Sequence, residues 1–133
     1  MVGGRNGLLL KGCKILILED EYLIASLCSD ELKARGAEIV GPVGDVSEGL
    51  SLARREPLDA AILEVLVHGG PAYPLAELLL KREVPIVFTT RLTAELLPPH
   101  WRGTRTFEKP FEVDDLVDHM VSLYQGAGSR AAE

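Results

Sequence analysis

The sequence predicts an α/β fold in which a parallel sheet carries helices on both faces. Five short apolar runs have the length of buried strands, and a segment with apolar residues at helical spacing follows each of them. The 133 residues have the length of one domain and can bury a hydrophobic core without disulfides. No apolar run reaches the roughly eighteen residues that a membrane span needs. The N-terminus has no signal-peptide pattern, so we expect a soluble, cytoplasmic protein.

Five pairs of a strand and a helix follow one another along the chain. The strands are predicted at residues 14–18, 37–43, 58–64, 85–89 and 105–108, and the helices at residues 23–36, 45–56, 72–82, 93–97 and 113–124. The fifth helix has the most regular apolar stripe, formed by Val113, Leu116, Val117, Met120, Val121 and Tyr124. Residues 13–125 are the predicted domain, with a flexible N-terminal extension at residues 1–12 and a disordered tail at residues 126–133.

Local signals mark the ends of the helices. Gly36 ends the first helix, because glycine readily adopts the left-handed conformation that often follows a helix. Asp45 and Glu48 have the capping-box spacing at the start of the second helix, and Pro57 stops that helix. The fourth helix is predicted to be short, since the proline pair at residues 98–99 ends it within roughly two turns.

The composition argues against several functions. A formal net charge of −6 does not favour nonspecific nucleic-acid binding, which depends on clustered lysine and arginine. Cys13 and Cys28 match neither a metal-ligand spacing nor a disulfide framework, and we expect both to be buried thiols. Trp101 is expected to pack in the loop before the fifth strand. His68 is interpreted as a loop residue, because no second catalytic group accompanies it.

Polar residues lie at the C-terminal ends of the predicted strands: Glu19, Asp20, Glu64, Thr90 and Lys109. In an open parallel sheet, functional sites form beyond these strand ends, where the loops meet. Each acid taken alone is more readily explained as a solvated or helix-capping residue, but the combination favours a site. Mg²⁺ takes carboxylate, carbonyl and water oxygens as ligands. Asp20, Glu64 and the backbone carbonyl of Leu66 therefore form a candidate Mg²⁺ site.

The same residues resemble the receiver domain of two-component response regulators, in its single-domain type. Residues 15–21 resemble the acidic motif after the first strand of that family, residues 87–90 its threonine motif, and residues 108–111 its Lys-Pro-Phe motif. The resemblance covers about residues 13–125. It implies a flavodoxin-like, doubly wound, five-stranded parallel sheet with strand order 2-1-3-4-5 and helices on both faces.

The resemblance also implies roles for individual residues. Glu19 and Asp20 would hold Mg²⁺ together with the residue at the phosphoacceptor position, Glu64. Thr90 would hydrogen-bond a phosphoryl oxygen, and Lys109 would pair with the phosphoryl charge. The Lys109–Pro110 peptide bond is expected to be cis, a state that X-Pro bonds reach at low cost.

The sequence departs from the family pattern at three positions. Glu64 stands where the family has the phosphoacceptor aspartate. Arg91, a bulky cation, follows the conserved threonine, where a small residue is usual. The aromatic switch position, three residues before the lysine, is Thr106, and the two-residue period of a strand turns Phe107 to the other face.

Glu64 has one methylene more than aspartate, which bears directly on phosphoryl transfer. A carboxylate can attack a phosphoryl donor, with Mg²⁺ and Lys109 stabilising the transferring charge. A misplacement of about 1 Å can cost roughly a hundredfold in rate, and one methylene is a displacement of that order. Two interpretations of Glu64 have comparable weight: its charge imitates a phosphoryl group towards Lys109 and Thr90, or it forms a static ion pair with Lys109.

The predicted function is signal transduction in a two-component or phosphorelay system through protein contacts, not enzymatic catalysis. The implied partners are a sensor histidine kinase, a phosphotransfer protein or a downstream regulator, with a possible homodimer through the fourth helix, fifth strand and fifth helix. The alternative is an atypical receiver that is never phosphorylated and is a constitutive interaction module. A metal-dependent phosphohydrolase is a weak third alternative, because the sequence marks no substrate pocket. Mg²⁺ is expected to bind weakly or not at all.

Overall fold

The computed structural model describes residues 8–132, and side chains for residues 8–126. Five parallel strands form one sheet in the order β2-β1-β3-β6-β7, which corresponds to the predicted order 2-1-3-4-5 and confirms the fold class. The strands of this sheet are β1 (Lys14–Leu18), β2 (Glu38–Val43), β3 (Ala60–Glu64), β6 (Ile86–Thr90) and β7 (Thr106–Glu108). A short antiparallel hairpin of β4 (Leu66–Val67) and β5 (Gly70–Pro71), which the sequence did not predict, follows β3.

In the part of the chain that the structure describes, four α-helices flank the sheet: α1 (Tyr22–Ala34), α2 (Val46–Arg55), α3 (Tyr73–Lys81) and α4 (Val113–Ala132). Asp45 caps α2 as predicted, since its Oδ1 accepts the backbone N–H groups of Ser47 and Glu48 at 2.8 and 3.4 Å. Gly36 follows α1 with a φ of +97°, in the left-handed region that glycine favours. Within the described residues, no helix is both long and apolar enough to cross a membrane.

The predicted fourth helix is absent as an α-helix from the described chain. Two short 3₁₀ turns, Ala94–Leu96 and Pro99–Trp101, take its place. The proline pair at residues 98–99 prevents the backbone hydrogen bonds that would join the two turns into one helix. Leu97 and Trp101 are nonetheless buried, so the segment is packed onto the sheet.

The predicted ends of the domain differ from the structure. Residues 1–7 of the predicted N-terminal extension lie outside the described residues. Leu10, within the same extension, is completely buried, and its N–H donates to the Arg35 carbonyl at 2.8 Å. At the other end, α4 continues to Ala132, through most of the tail that was predicted to be disordered. The tail has no proline, and its alanines favour continuation of the helix.

The sheet separates two hydrophobic clusters. One packs against α2, α3 and the 3₁₀ segment, where Trp101 stacks on Tyr73 and meets Phe88 edge to face, each with ring centroids 5.6 Å apart. The other packs against α1 and α4 and contains both free cysteines, Cys13 and Cys28, which are buried as predicted. Burial raises the pKa of both thiols, that of Cys13 to about 12, so neither is a reactive thiolate at neutral pH.

Candidate functional site

The C-terminal edge of the sheet brings three of the predicted residues into contact: Glu19, Glu64 and Lys109. They follow or end β1, β3 and β7, and in each strand they continue the alternation of residues that face α1 and α4. All three side chains are almost completely buried. These three side chains therefore meet at the carboxyl ends of parallel strands.

The Lys109 ammonium group is the centre of this arrangement. Its Nζ lies 3.0 Å from Oε1 and 3.1 Å from Oε2 of Glu19, and 2.5 Å from Oε2 of Glu21. It also forms an ion pair with Oε1 of Glu64. Oε1 of Glu64 lacks a hydrogen bond of regular geometry, but its contact with a positive charge compensates its burial. Lys109 thus contacts three carboxylates at once.

The pKa values in this cluster follow from burial and from these contacts. Burial raises the pKa of Glu64, and the hydrogen bond and charge of Lys109 oppose that rise only in part. For Lys109, burial alone would lower the pKa, but hydrogen bonds to Glu21, Glu64 and Glu19 outweigh it and raise the pKa above its usual value. The hydrogen bond from Lys109 lowers the pKa of Glu21. Lys109 is therefore protonated at neutral pH and remains paired.

Glu21 is a residue of the site that sequence reasoning missed. It occupies the N-cap position of α1, but its side chain caps no backbone N–H. Oε2 of Glu21 binds Lys109 instead, and Oε1 lies 2.5 Å from a guanidinium nitrogen of Arg91. The acidic run 19–21 contained the signal, but its loop conformation decides which acid turns towards the lysine.

Asp20 lines the same cleft as Glu64 and Leu66, with which it was predicted to hold Mg²⁺, but its carboxylate does not join the cluster around Lys109. Its carboxylate is 3.8 Å from Nδ1 of His68, on the hairpin that follows β3. Within the described part of the chain, the acidic cluster with ligand oxygens within 4.8 Å of one another consists of Glu19, Glu21 and Glu64. Asp20 and Glu64 therefore share a cleft, whereas the closely packed ligand oxygens come from the three glutamates.

The hydroxyl groups of the predicted switch residues hydrogen-bond to nearby backbone groups. The Thr90 hydroxyl is buried and accepts the N–H of Leu92 at 3.0 Å, while its own hydrogen remains available as a donor. The Thr106 hydroxyl donates to the Thr104 carbonyl at 3.0 Å. Phe107, one residue along the strand, is buried between α1 and α4, as the two-residue period requires.

A cleft of about 380 Å³ opens onto this edge of the sheet, and its walls include Glu64, Thr90 and Arg91. The side chain of Arg91 is 70% exposed and reaches across the mouth of the cleft to Glu21. Leu66, whose carbonyl was a predicted metal ligand, also lines the cleft. Burial raises the pKa of Glu64, and a backbone hydrogen bond at Leu66 opposes that rise in small part. The Lys109–Pro110 peptide bond is cis, as is Gly41–Pro42.

The residues present do not fit a Mg²⁺ ion in this arrangement. Mg²⁺ needs near-octahedral coordination by oxygen atoms at 2.0–2.1 Å. Both oxygens of Glu19 and one each of Glu21 and Glu64 already contact the Lys109 ammonium. The second oxygen of Glu21 contacts Arg91, and Asp20 is turned to His68. The protein's own cations occupy the positions from which these carboxylates could hold the ion.

Several known proteins are similar to this chain. The transcriptional regulatory protein PdtaR of Mycobacterium tuberculosis is 33% identical over 108 residues, which are 78% of this chain and 53% of PdtaR. The chain therefore spans about half the length of the curated relatives that it matches. No family model matches the chain.

Solved structures agree with this similarity. SdrG from Sphingomonas melonis Fr1 is 35% identical, with a TM-score of 0.73, and the match covers 84% of this chain and 95% of SdrG. The receiver domain of Francisella response regulator 1452 has a TM-score of 0.75 over 87% of this chain and 99% of its own, and at 21% identity it shows the same fold.

Proposed function

The chain belongs to the response regulator receiver domain family, and on that premise we propose that it is a receiver whose Glu64–Lys109 ion pair takes the place of regulated phosphorylation. Receiver domains are the signalling modules of two-component systems, and they act through contacts with kinases and downstream regulators. The proposal concerns how this receiver differs from others. The single observation that carries it is the buried contact between Glu64 and Lys109, with side chains only 5% and 6% exposed.

This contact makes Glu64 a poor phosphoryl acceptor. A carboxylate attacks phosphorus through a free oxygen lone pair, and Oε1 of Glu64 is held against an ammonium group. Lys109, which would stabilise the transferring charge, is itself bound by three carboxylates and is not free to do so. The longer side chain adds a displacement of about 1 Å, worth roughly a hundredfold in rate. We therefore expect very slow phosphorylation of the native protein.

The geometry supports the ion-pair interpretation of Glu64 more than complete phosphoryl mimicry. A phosphoryl group would engage both Lys109 and Thr90, whereas Glu64 contacts Lys109, and the Thr90 hydroxyl binds the neighbouring backbone. The state of the domain is then set by an internal charge pair that does not depend on phosphate. A receiver with such a site is a constitutive interaction module.

The contact surface that we propose comprises the 3₁₀ segment, β7 and α4. Leu92 and Leu96, at the start of this region, are 40% and 67% exposed and offer apolar surface to a partner. A kinase, a downstream regulator or a second copy of the chain would bind there, in the cytoplasm, and the domain would have no catalytic activity of its own. We further propose that Mg²⁺ binds weakly or not at all.

Intact-mass measurement after incubation with acetyl phosphate and Mg²⁺ tests the proposal. The native protein should gain little or no phosphoryl mass, whereas Glu64→Asp, which withdraws the carboxylate from Lys109, should gain one group. Glu64→Gln is the matched control, because it keeps the length of the side chain but cannot form an acyl phosphate. If native protein and Glu64→Asp label equally fast, and the label is absent from Glu64→Gln, Glu64 is a competent acceptor and the proposal fails.

A further inference from the structure

The number of carboxylates around Lys109 matches the number of hydrogens that it can donate. An ammonium group has three N–H donors, and Lys109 meets three carboxylates, from Glu19, Glu21 and Glu64. Its side chain is 6% exposed, so water contributes little to its solvation. The ammonium group is therefore satisfied by the protein, and the three carboxylates are held together by it.

This cluster has the arrangement of a cation site that already contains a cation. The ligand oxygens of the three glutamates lie within 4.8 Å of one another, which is close enough for a single ion. Carboxylates packed this closely in a buried place repel one another strongly unless a positive charge lies among them. In this chain that charge is covalently attached, at the end of the Lys109 side chain.

We propose that Lys109 is the resident cation of this site and excludes divalent ions from Glu19, Glu21 and Glu64. A divalent ion would have to displace the ammonium group, and the displaced group would lose three charged partners. Arg91 strengthens the exclusion, since it holds the second oxygen of Glu21 at 2.5 Å. The inference deepens the proposed function by giving its site a metal-independent state, and it rests on that function only for its biological meaning.

Two features distinguish this cluster from a site built on the first two acids of the 19–21 run. Glu21 belongs to the cluster, whereas the carboxylate of Asp20 lies 3.8 Å from Nδ1 of His68 and is not among the oxygens that lie within 4.8 Å of one another. Removal of Lys109 should therefore create a divalent-ion site that depends on Glu21 and not on Asp20. This dependence separates the inference from a general weak affinity of acidic loops for metal ions.

The test is a titration with Mn²⁺, followed by electron paramagnetic resonance of the free ion, and no phosphoryl donor is used. The native protein should bind Mn²⁺ at least tenfold more weakly than Lys109→Ala, whose short side chain leaves room for the ion. Lys81→Ala, which removes an exposed lysine from α3, is the matched control and should behave like the native protein. Thermal unfolding should agree: MgCl₂ should raise the Tm of Lys109→Ala above its value in NaCl of equal ionic strength, and leave the native Tm unchanged.

Two double variants locate the ligands. Adding Glu21→Gln to Lys109→Ala should abolish the gained Mn²⁺ binding, whereas adding Asp20→Asn should preserve it. The inference is overturned if the native protein binds Mn²⁺ as tightly as Lys109→Ala, or if the gained site depends on Asp20 instead of Glu21. If Lys109→Ala does not fold, the native titration still decides, because site-specific Mn²⁺ binding by the native protein contradicts a resident lysine. Acetyl phosphate labelling is independent of this result, so the two proposals can fail separately.

Discussion

Lys109 and Glu64 should differ sharply in what they contribute to stability, although they contact each other. Lys109→Met keeps the length of the side chain and removes the charge, which leaves Glu19, Glu21 and Glu64 close together without a cation. Removing one partner of a buried ion pair typically costs about 3–5 kcal/mol. With a urea dependence of about 2 kcal/mol per M, the unfolding midpoint should fall by roughly 2 M.

Glu64→Gln should cost far less, because it removes one of three negative charges from around a single lysine. Burial is the largest influence on the pKa of Glu64 and raises it, so the ionised side chain is already disfavoured at this position. Glutamine has nearly the same shape, and Lys109 keeps Glu19 and Glu21 as partners. We expect a change within about 1 kcal/mol of the native stability at pH 7.

The two variants should also respond differently to acid. In Lys109→Met, we expect the pKa of Glu64 in the folded protein to rise further above its pKa in the unfolded chain. The contribution of Glu64 to the free energy of unfolding is then fully present below the unfolded pKa, and it is lost as the pH rises through the folded pKa. In the native protein, the lowered pKa of Glu21 gives a contribution that is present above its unfolded value and is lost as the pH falls. The difference in free energy of unfolding between the native protein and Lys109→Met should therefore become smaller as the pH falls from 7 to about 4.5.

Urea unfolding, monitored by circular dichroism at pH 7, 6 and 5, gives the free energy of unfolding of the native protein, Glu64→Gln and Lys109→Met. If Glu64→Gln and Lys109→Met lose the same free energy of unfolding, Glu64 is the main partner of the lysine and not one of three. A loss in Lys109→Met of less than about 1 kcal/mol, or one that does not vary with pH, would contradict the buried charge cluster itself.

Two further variants test the surroundings of the site by urea unfolding. Trp101→Ala should cost about 3–5 kcal/mol, because it removes the ring that packs against both Tyr73 and Phe88. A cost below about 1 kcal/mol would mean that the 3₁₀ segment is not packed as described. Arg91→Ala should change stability by no more than about 1 kcal/mol, since its ion pair with Glu21 is largely exposed, and a larger loss would show that the pair supports the cluster beneath it.

The strands were the most predictable part of the fold, since their apolar runs and their terminal polar residues stand out in the sequence. Glu19, Glu64 and Lys109 met at one edge because parallel strands carry their carboxyl ends to the same side. The prediction of a fourth α-helix was wrong for a local reason. A short run ended by two prolines has too few backbone hydrogen bonds for an α-helix, and burial of Leu97 and Trp101 holds it as 3₁₀ turns instead.

The choice between Asp20 and Glu21 could not be made from the sequence. Successive side chains point to opposite faces of the sheet only while the chain remains in a strand. Asp20 and Glu21 both lie after the last residue of β1, so this rule does not apply to them. Beyond that point the backbone angles of the loop decide, and Glu21 has an extended conformation, with φ −91° and ψ 107°. Its longer side chain then reaches Lys109, whereas Asp20 meets His68 on a hairpin that no pattern predicted.

The extra methylene of Glu64 and the anchored 3₁₀ segment lead to the same conclusion about signalling. A switch needs two states of similar free energy, and a signal can shift them only by its differential interaction with each. Here the lysine that would respond to a phosphoryl group is already held by three acids, and the segment between β6 and β7 is fixed by Trp101 and by the Glu108 carboxylate, which accepts the Ala94 N–H at 2.7 Å. In the function that we propose, the lysine and this segment are therefore both held by internal contacts. Regulation of such a domain would act on which partner reaches its surface, and not on the conformation of that surface.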